Sequence, residues 1–250
     1  EIYMGDWSSD VCSSDRRRVL LLSAGGAAVF AVAIAFGVYG GGTALAVVGF
    51  TLGGWIIATS LVDPIDRLRR RLTLPRAVLG MTVAHIGVAV FVIAITAVEV
   101  YTHEKDVALA IGERTRVGAY EFALQGLEPA EGPNYEAVRG TIEVSRDGRV
   151  LAVLHPEKRR YWVQGSVMTE AGIATRGGSD LFVALGEDLG QGRWSVRTQV
   201  RPLINYVWLG ALIMALGGAL AASDRRYRVA QTATENAAPS GAQRPVEQAS

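Results

Sequence analysis

The sequence has 250 residues, of which 50% are hydrophobic and 20% are charged, whereas about a quarter of the residues in soluble proteins are charged. Its formal net charge of +1 is too small to indicate a nucleic-acid-binding surface, and the basic residues lie beside hydrophobic runs instead of forming a stripe of their own. The composition therefore excludes an ordinary water-soluble globule, and nucleic acid is set aside as a partner.

Residues 1–15 have the character of foreign sequence. They begin with Glu1, repeat the pattern Ser-Ser-Asp, and have neither helical nor strand periodicity. We expect this segment to be non-native, so that the native part starts within a longer gene. Because Cys12 is the only cysteine, the rest of the chain is expected to contain no disulfide, thiolate metal site or catalytic thiol.

Four long runs contain no Asp, Glu, Lys or Arg, and each is close to the roughly 20 residues that a membrane-spanning helix needs. No signal-peptide cleavage pattern follows the first run, so all four are predicted to be permanent transmembrane helices. These predicted spans are residues 19–38, 43–62, 77–98 and 203–223.

The arginines predict the orientation of the spans. Arginines at 16–18 precede the first span, five more lie within residues 67–76, and three follow the last span, whereas Gly40 to Gly42 join the first two spans without charge. Because Lys and Arg mark the cytoplasmic side, both ends are predicted to be cytoplasmic, and residues 99–202 are predicted to lie in the periplasm of a bacterium. Residues 224–250 contain few large apolar side chains and are predicted to form a disordered cytoplasmic tail.

Residues 99–202 show short alternating apolar runs, which are typical of β-strands. Asp147-Gly148 between two of these runs predicts a hairpin turn, because such turns need positive φ. The fold class is therefore an α-helical membrane protein with an inserted small all-β domain, either a sandwich or a barrel. The predicted strands are 107–111, 119–127, 137–144, 150–154, 161–164, 181–185 and 194–200.

His85 is the only Asp, Glu, Lys, Arg or His residue inside a predicted span. Such a residue is costly in a membrane unless it is neutral and partnered, which makes it a functional candidate. A neutral imidazole can ligate haem or another metal, and the small neighbours Gly80, Ala84 and Gly87 suggest room for a flat group. The alternative is a neutral histidine that is hydrogen-bonded to a Ser, a Thr or a backbone carbonyl of another helix.

Small residues recur in the spans, and Gly49 and Gly53 have the spacing that lets two helices approach closely. Ordinary helix packing is sufficient to explain them.

The predicted β domain contains no assembled catalytic set, but it has one compact polar cluster. His155, Glu157, Lys158 and Arg159 follow directly after a predicted strand. Either they form a solvated loop, or they form a docking surface for an anionic or protein partner.

From about residue 77 to residue 228, the order of short segments resembles the C-terminal part of the CcmF family of cytochrome c maturation proteins, which are bacterial haem lyase subunits. The resemblance rests on the order of these segments across about 150 residues and is more specific than any single motif. The matching segments are Gly80-Met81, Ala84-His85-Ile86-Gly87, Glu104-Lys105-Asp106-Val107, Glu131-Gly132-Pro133-Asn134-Tyr135, Leu154-His155-Pro156-Glu157-Lys158-Arg159, Met168-Thr169-Glu170-Ala171, Val183-Ala184-Leu185-Gly186-Glu187, Trp208-Leu209-Gly210-Ala211-Leu212 and Asp224-Arg225-Arg226-Tyr227-Arg228.

The resemblance implies a protein of the bacterial inner membrane that works with other cytochrome c maturation subunits to attach haem to apocytochrome c. It also implies that His85 is one axial ligand of the iron of a haem b, with the second ligand outside this chain. The tryptophan-rich segment of the family does not occur between Arg16 and Val98, so this portion is not expected to be catalytic alone. The alternative function is a membrane-anchored structural or interaction module in which His85 is a packing residue.

Overall fold

The computed structural model describes residues 13–163 and 165–224, and within them it contains four α-helices. All four are long and apolar enough to cross a membrane. Most of the predicted non-native segment and nearly all of the predicted cytoplasmic tail lie outside the described residues. The helices are α1 (Ser13–Gly37), α2 (Ala44–Arg69), α3 (Arg76–Tyr101) and α4 (Ile204–Ala222).

Helix α2 begins and ends with local polar contacts. The Thr43 hydroxyl caps its first turn by accepting a hydrogen bond from Ala46 N at 3.2 Å. At its other end the helix continues beyond the apolar run, where Asp63 and Asp66 each pair with the arginine four residues later. Such pairs stabilise an exposed helical turn.

The helices pack in chain order through small residues. A Cβ atom on Gly49 would lie 2.1 Å from Thr96 Oγ1, and one on Gly53 would lie 2.5 Å from Ile93 Cγ1, so α2 contacts α3 closely at both glycines. This confirms the packing interpretation of the small-residue spacing. At the β-domain end of the bundle, the Tyr39 and Tyr101 rings stack with centroids 4.0 Å apart.

Ten β-strands lie between α3 and α4 within the described residues, in two antiparallel sheets. One sheet has the order β1-β10-β9-β8, and the other has the order β2-β3-β4-β6-β7 with β5 also paired to β4. The strands are β1 (His103–Ala110), β2 (Arg114–Val117), β3 (Tyr120–Glu131), β4 (Tyr135–Arg146), β5 (Arg149–Leu154), β6 (Glu157–Tyr161), β7 (Val167–Glu170), β8 (Gly172–Arg176), β9 (Ser179–Asp188) and β10 (Arg193–Pro202).

Alternate residues of these strands point inward and form the core between the sheets. Phe122 and Leu124 of β3, Ile142 of β4, and Leu181 and Leu185 of β9 are fully buried. The predicted helical membrane protein with an inserted all-β domain is confirmed, and the two sheets make the domain a sandwich.

The predicted Asp147-Gly148 turn joins β4 to β5. Both residues have positive φ, 51° and 75°, and the flanking Arg146 and Arg149 are paired. This is the turn geometry that suits the twist of a two-residue hairpin.

The strand predictions were incomplete. Strands β2, β7 and β8 were not predicted, and the predicted strand at 161–164 shares only Tyr161 with β6, because Trp162 and Val163 lie in the turn that follows. Strand β7 is exposed at all four positions, so it has no inward apolar alternation for sequence analysis to detect.

Candidate functional site

His85 lies near the middle of α3 along its axis. At the usual rise of about 1.5 Å per residue, it is about 14 Å from Arg76 and about 24 Å from Tyr101. The helix is 26 residues long, so both ends lie well away from the imidazole. His85 therefore lies well inside a helix of membrane-spanning length, nearer to its Arg76 end.

One hydrogen bond fixes the orientation of the imidazole. His85 Nδ1 lies 2.8 Å from the carbonyl oxygen of Met81, one turn earlier in the same helix. Because a carbonyl only accepts, Nδ1 must carry the proton and donate it. In the neutral imidazole the lone pair is then on Nε2, which has no hydrogen-bond partner among the described residues.

This bond differs from the alternative that the sequence left open. That alternative placed the partner of His85 on another helix, but the partner is the backbone of its own helix. A ring N–H held by a backbone carbonyl is the arrangement that orients histidines whose other nitrogen ligates a metal.

The small neighbours of His85 do not provide the space that the sequence suggested. A Cβ atom on Gly80 would lie 2.3 Å from the backbone nitrogen of Ala221, and one on Gly87 would lie 2.5 Å from that of Met214. This face of α3 is therefore occupied by α4. The expectation of a cavity beside Gly80, Ala84 and Gly87 was wrong, because small residues served close helix packing there.

The space next to His85 is on a different face of α3. At about 100° per residue, His85 is turned away from the α4-facing Ala84. Its side chain is exposed, as is Met81 one turn earlier, and Val88 one turn later is partly exposed. These three residues form an open, mainly apolar surface with one imidazole in it, which we call the His85 face.

Three members of the polar cluster in the β domain lie in a strand, and His155 lies in the short connection that precedes it. Glu157 begins β6 and is only 6% exposed. Its two carboxylate oxygens accept hydrogen bonds from Arg139 Nε at 2.7 Å and from Arg159 Nε at 2.8 Å. Burial raises the pKa of Glu157, but the hydrogen bonds and charges of Arg159 and Arg139 outweigh it, and the net pKa is lowered.

The other members of the cluster face different surroundings. His155 is exposed and lies 3.4 Å from the Thr141 hydroxyl. Lys158 Nζ donates to Glu187 at 2.8 Å, which links β6 to the opposite sheet. Glu157 is thus enclosed between arginines, whereas Lys158 and Arg159 line an open cleft of about 460 Å³.

Sequence analysis missed an apolar surface at the turn between β6 and β7. Trp162 and Val163 are 58% and 91% exposed, and Met168 on β7 is 53% exposed. Exposed Trp and Met are enriched at protein interfaces. The run from Tyr161 onward was predicted to be a strand, but Trp162 and Val163 lie in the turn after β6.

Comparisons with known proteins agree with this arrangement. A family model described as the CcmF C-terminal beta-sandwich matches residues 100–202. The cytochrome c-type biogenesis protein CcmF of Pseudomonas aeruginosa is 45% identical over 186 residues, which are 72% of this chain and 28% of that protein. The protein CycK of Bradyrhizobium diazoefficiens is 37% identical over 220 residues, which are 84% of this chain and 33% of that protein.

A solved structure of cytochrome c heme lyase CcmF has a similar fold, with a TM-score of 0.67 and 22% identity, and the match covers 82% of this chain and 34% of that one. The chain spans about a third of the length of these relatives. Four helices of membrane-spanning length together with these relatives indicate a multi-pass membrane protein. The sequence matches and the sandwich between α3 and α4 show that the chain belongs to the CcmF family of cytochrome c-type biogenesis proteins.

Proposed function

We propose that this chain is the C-terminal portion of a membrane haem lyase subunit, and that His85 is an axial ligand of a haem b. The observation that carries the proposal is the hydrogen bond from His85 Nδ1 to the Met81 carbonyl, which directs the other nitrogen away from its own helix. Family membership supports haem handling in general, and this bond supports His85 as the ligand.

The residues around His85 fit a haem. The His85 face offers one nitrogen lone pair within an apolar surface, and a porphyrin needs an axial donor and apolar walls. Met81 contributes twice, because its carbonyl holds the imidazole and its side chain lies one turn away on the same face. The second axial ligand would come from outside this chain.

When bound, a haem b would supply one-electron chemistry that keeps the transferred haem reduced. The chain's own contribution is to hold the Nδ1 proton on the Met81 carbonyl and to keep Nε2 available as a donor. The packing of α3 against α2 and α4 fixes the helix that carries both residues.

The arginine distribution supports a location in the bacterial inner membrane, with the β domain in the periplasm and the C-terminus in the cytoplasm. There the partners would be other maturation subunits, apocytochrome c, haem and the lipid bilayer. The chain alone would not be catalytic.

The test is the visible spectrum of the full-length protein carrying His85→Ala. Loss of one axial nitrogen should reduce haem content or shift the reduced-minus-oxidised spectrum, while Ala leaves helix formation intact. His155→Ala is the control and should leave the spectrum unchanged. His85→Gly should regain the native spectrum when imidazole is added. Normal haem content and spectrum in His85→Ala would favour the packing role of His85.

The exposed His155 and the partly buried Lys158 and Arg159 at the open cleft favour a second function for the β domain, docking of a partner subunit. His155, Lys158 and Arg159 would contribute to this surface, whereas the enclosed Glu157 would support it from within. Lys158→Glu should reduce co-purification of maturation subunits without changing haem content. Unchanged co-purification would remove these residues from the interface.

A further inference from the structure

The chain between the apolar parts of α2 and α3 carries arginines and exposed leucines side by side. We call residues 67–76 the α2–α3 connection. Helix α2 continues into it for about two turns beyond the apolar run 43–62, so the connection would lie at the level of the lipid headgroups. Its three leucines, Leu68, Leu72 and Leu74, are all exposed.

The carboxylates described at this end of the helix bundle already have partners. Asp63 and Asp66 each pair with the arginine four residues later, at 3.0 Å. The third carboxylate, Asp224 after α4, is buried and accepts a hydrogen bond from Ala77 N at 3.0 Å. Within the described residues, no carboxylate at this end is left for another arginine.

Three arginines of the α2–α3 connection therefore have no counter-ion in the part of the chain that the structure describes. Arg69, Arg71 and Arg76 are exposed, and none of them forms an ion pair there. Because α2 and α3 are antiparallel and joined by this short connection, all three lie at the same end of the bundle. An uncompensated group of cations at headgroup level attracts anionic lipids.

Arg71 has a backbone conformation that favours glycine. Its φ is 57°. Its N–H donates to the carbonyl of Leu68 at 3.1 Å, and the N–H of Leu72 donates to the carbonyl of Arg67 at 2.8 Å. These two bonds form the Schellman motif at the end of α2, in which glycine is usual at the position of Arg71 because a Cβ atom is disfavoured there. A long cationic residue in this strained position points to a use for its side chain.

We propose that Arg69, Arg71 and Arg76 bind the phosphate group of an anionic phospholipid, and that the exposed leucines of the connection contact its acyl chains. Guanidinium groups pair with phosphate oxygens through strong, charge-assisted hydrogen bonds. The leucines favour a lipid over a soluble phosphate, because a soluble ion offers no apolar surface to cover them. This inference does not depend on the proposed role of His85.

The experiment measures lipid binding to the full-length protein in detergent by native mass spectrometry, with phosphatidylglycerol and phosphatidylcholine as probes. Wild type should bind phosphatidylglycerol more tightly. Arg71→Gly should weaken phosphatidylglycerol binding about fivefold, as expected for one cation near a lipid surface, and should leave phosphatidylcholine binding unchanged. The double variant Arg69→Gln with Arg76→Gln should weaken it about 25-fold. Because glycine suits the backbone at position 71, Arg71→Gly should unfold at or above the wild-type temperature, which separates lost binding from misfolding.

Two controls separate a binding site from a general effect of charge. Asp63→Asn with Arg67→Gln removes a paired arginine together with its carboxylate. Arg116→Gln removes an exposed arginine of the β domain that has no ion pair within the described residues. Both controls should retain the wild-type affinity for phosphatidylglycerol.

Wild-type affinity for phosphatidylglycerol in Arg71→Gly and in the Arg69 and Arg76 double variant would overturn the inference. Equal weakening by Arg116→Gln and Arg71→Gly would overturn it as well, because net charge would then explain the binding. Inorganic phosphate at the same concentration should not displace the lipid. Displacement by phosphate would overturn the assignment of the site to a phospholipid.

Discussion

Gly80 of α3 and Gly217 of α4 face each other at backbone contact distance. A Cβ atom on Gly80 would lie 2.6 Å from the Gly217 carbonyl oxygen, and a Cβ atom on Gly217 would lie 2.7 Å from the Gly80 carbonyl oxygen. Neither position can accept a side chain unless the helices move apart. Because α3 carries His85, the spacing of this helix pair also determines where the imidazole lies.

Gly217→Ala should therefore destabilise the protein. The new methyl group would meet the backbone nitrogen of Ala84 at 2.3 Å, and overpacking of this kind costs about 1–3 kcal/mol. Thermal unfolding in detergent, followed by circular dichroism, measures the effect. A methyl group on the neighbouring Gly218 would have no atom of the described residues within 4 Å, so Gly218→Ala is the matched control and should unfold at or above the wild-type temperature. Equal unfolding temperatures for the two variants would contradict tight packing at Gly217.

The helices and the inserted domain were predictable because their signals are local. Each span is a continuous uncharged run, and Asp147-Gly148 marks its turn by residue type alone. His85 was also detectable, because a single imidazole stands out within a span. In contrast, the role of its small neighbours depends on what packs against them, and no residue of α3 itself indicates that α4 does so.

Long-range polar contacts could not be predicted from the sequence either, because their partners lie on other elements of the fold. Asp224 and Ala77 are 147 residues apart, and the sequence alone places Asp224 at the start of a cytoplasmic tail. The sequence also groups Glu157 with a solvated or docking cluster, because its partner Arg139 lies on the neighbouring strand β4. Such residues are recognised only when strand register and helix order are known.

Glu157→Gln should destabilise the β domain. Glu157 accepts hydrogen bonds from two arginines in a buried position, and removing its charge leaves only the more exposed Glu128 beside Arg139 and Glu170 beside Arg159. The expected loss is about 2 kcal/mol, because Arg139 remains partly solvated. Chemical denaturation followed by Trp fluorescence measures it. Glu187→Gln is the control, because Glu187 forms its ion pair with Lys158 in an exposed position. This substitution should lower the free energy of unfolding by less than about 1 kcal/mol.

The same carboxylate predicts a pH dependence. The pKa of Glu157 is lowered from its ordinary value of 4.5 in the folded protein, so its contribution to stability is complete above about pH 4.5. As the pH falls below 4.5 toward the folded pKa, the unfolded state takes up the proton first and that contribution is lost. The stability difference between wild type and Glu157→Gln should therefore be constant near pH 7 and decrease below pH 4.5. A difference that stays constant down to pH 3 would show that the ionised carboxylate is not its source.

The orientation of the helices in the membrane can be tested with reporter fusions. The turn at Gly148 lies in the β domain between α3 and α4, and Gly41 lies between α1 and α2, so an antiparallel bundle places both on the same side. The arginines at 67–76 lie between α2 and α3, on the opposite side. Because Lys and Arg are retained in the cytoplasm, alkaline phosphatase fused at Gly41 or Gly148 should be active, and fusions at Leu72 or Ala230 should be inactive. Green fluorescent protein fusions should show the reverse pattern. An active phosphatase fusion at Leu72 would invert the orientation and place the end of α3 nearer to His85 toward the periplasm.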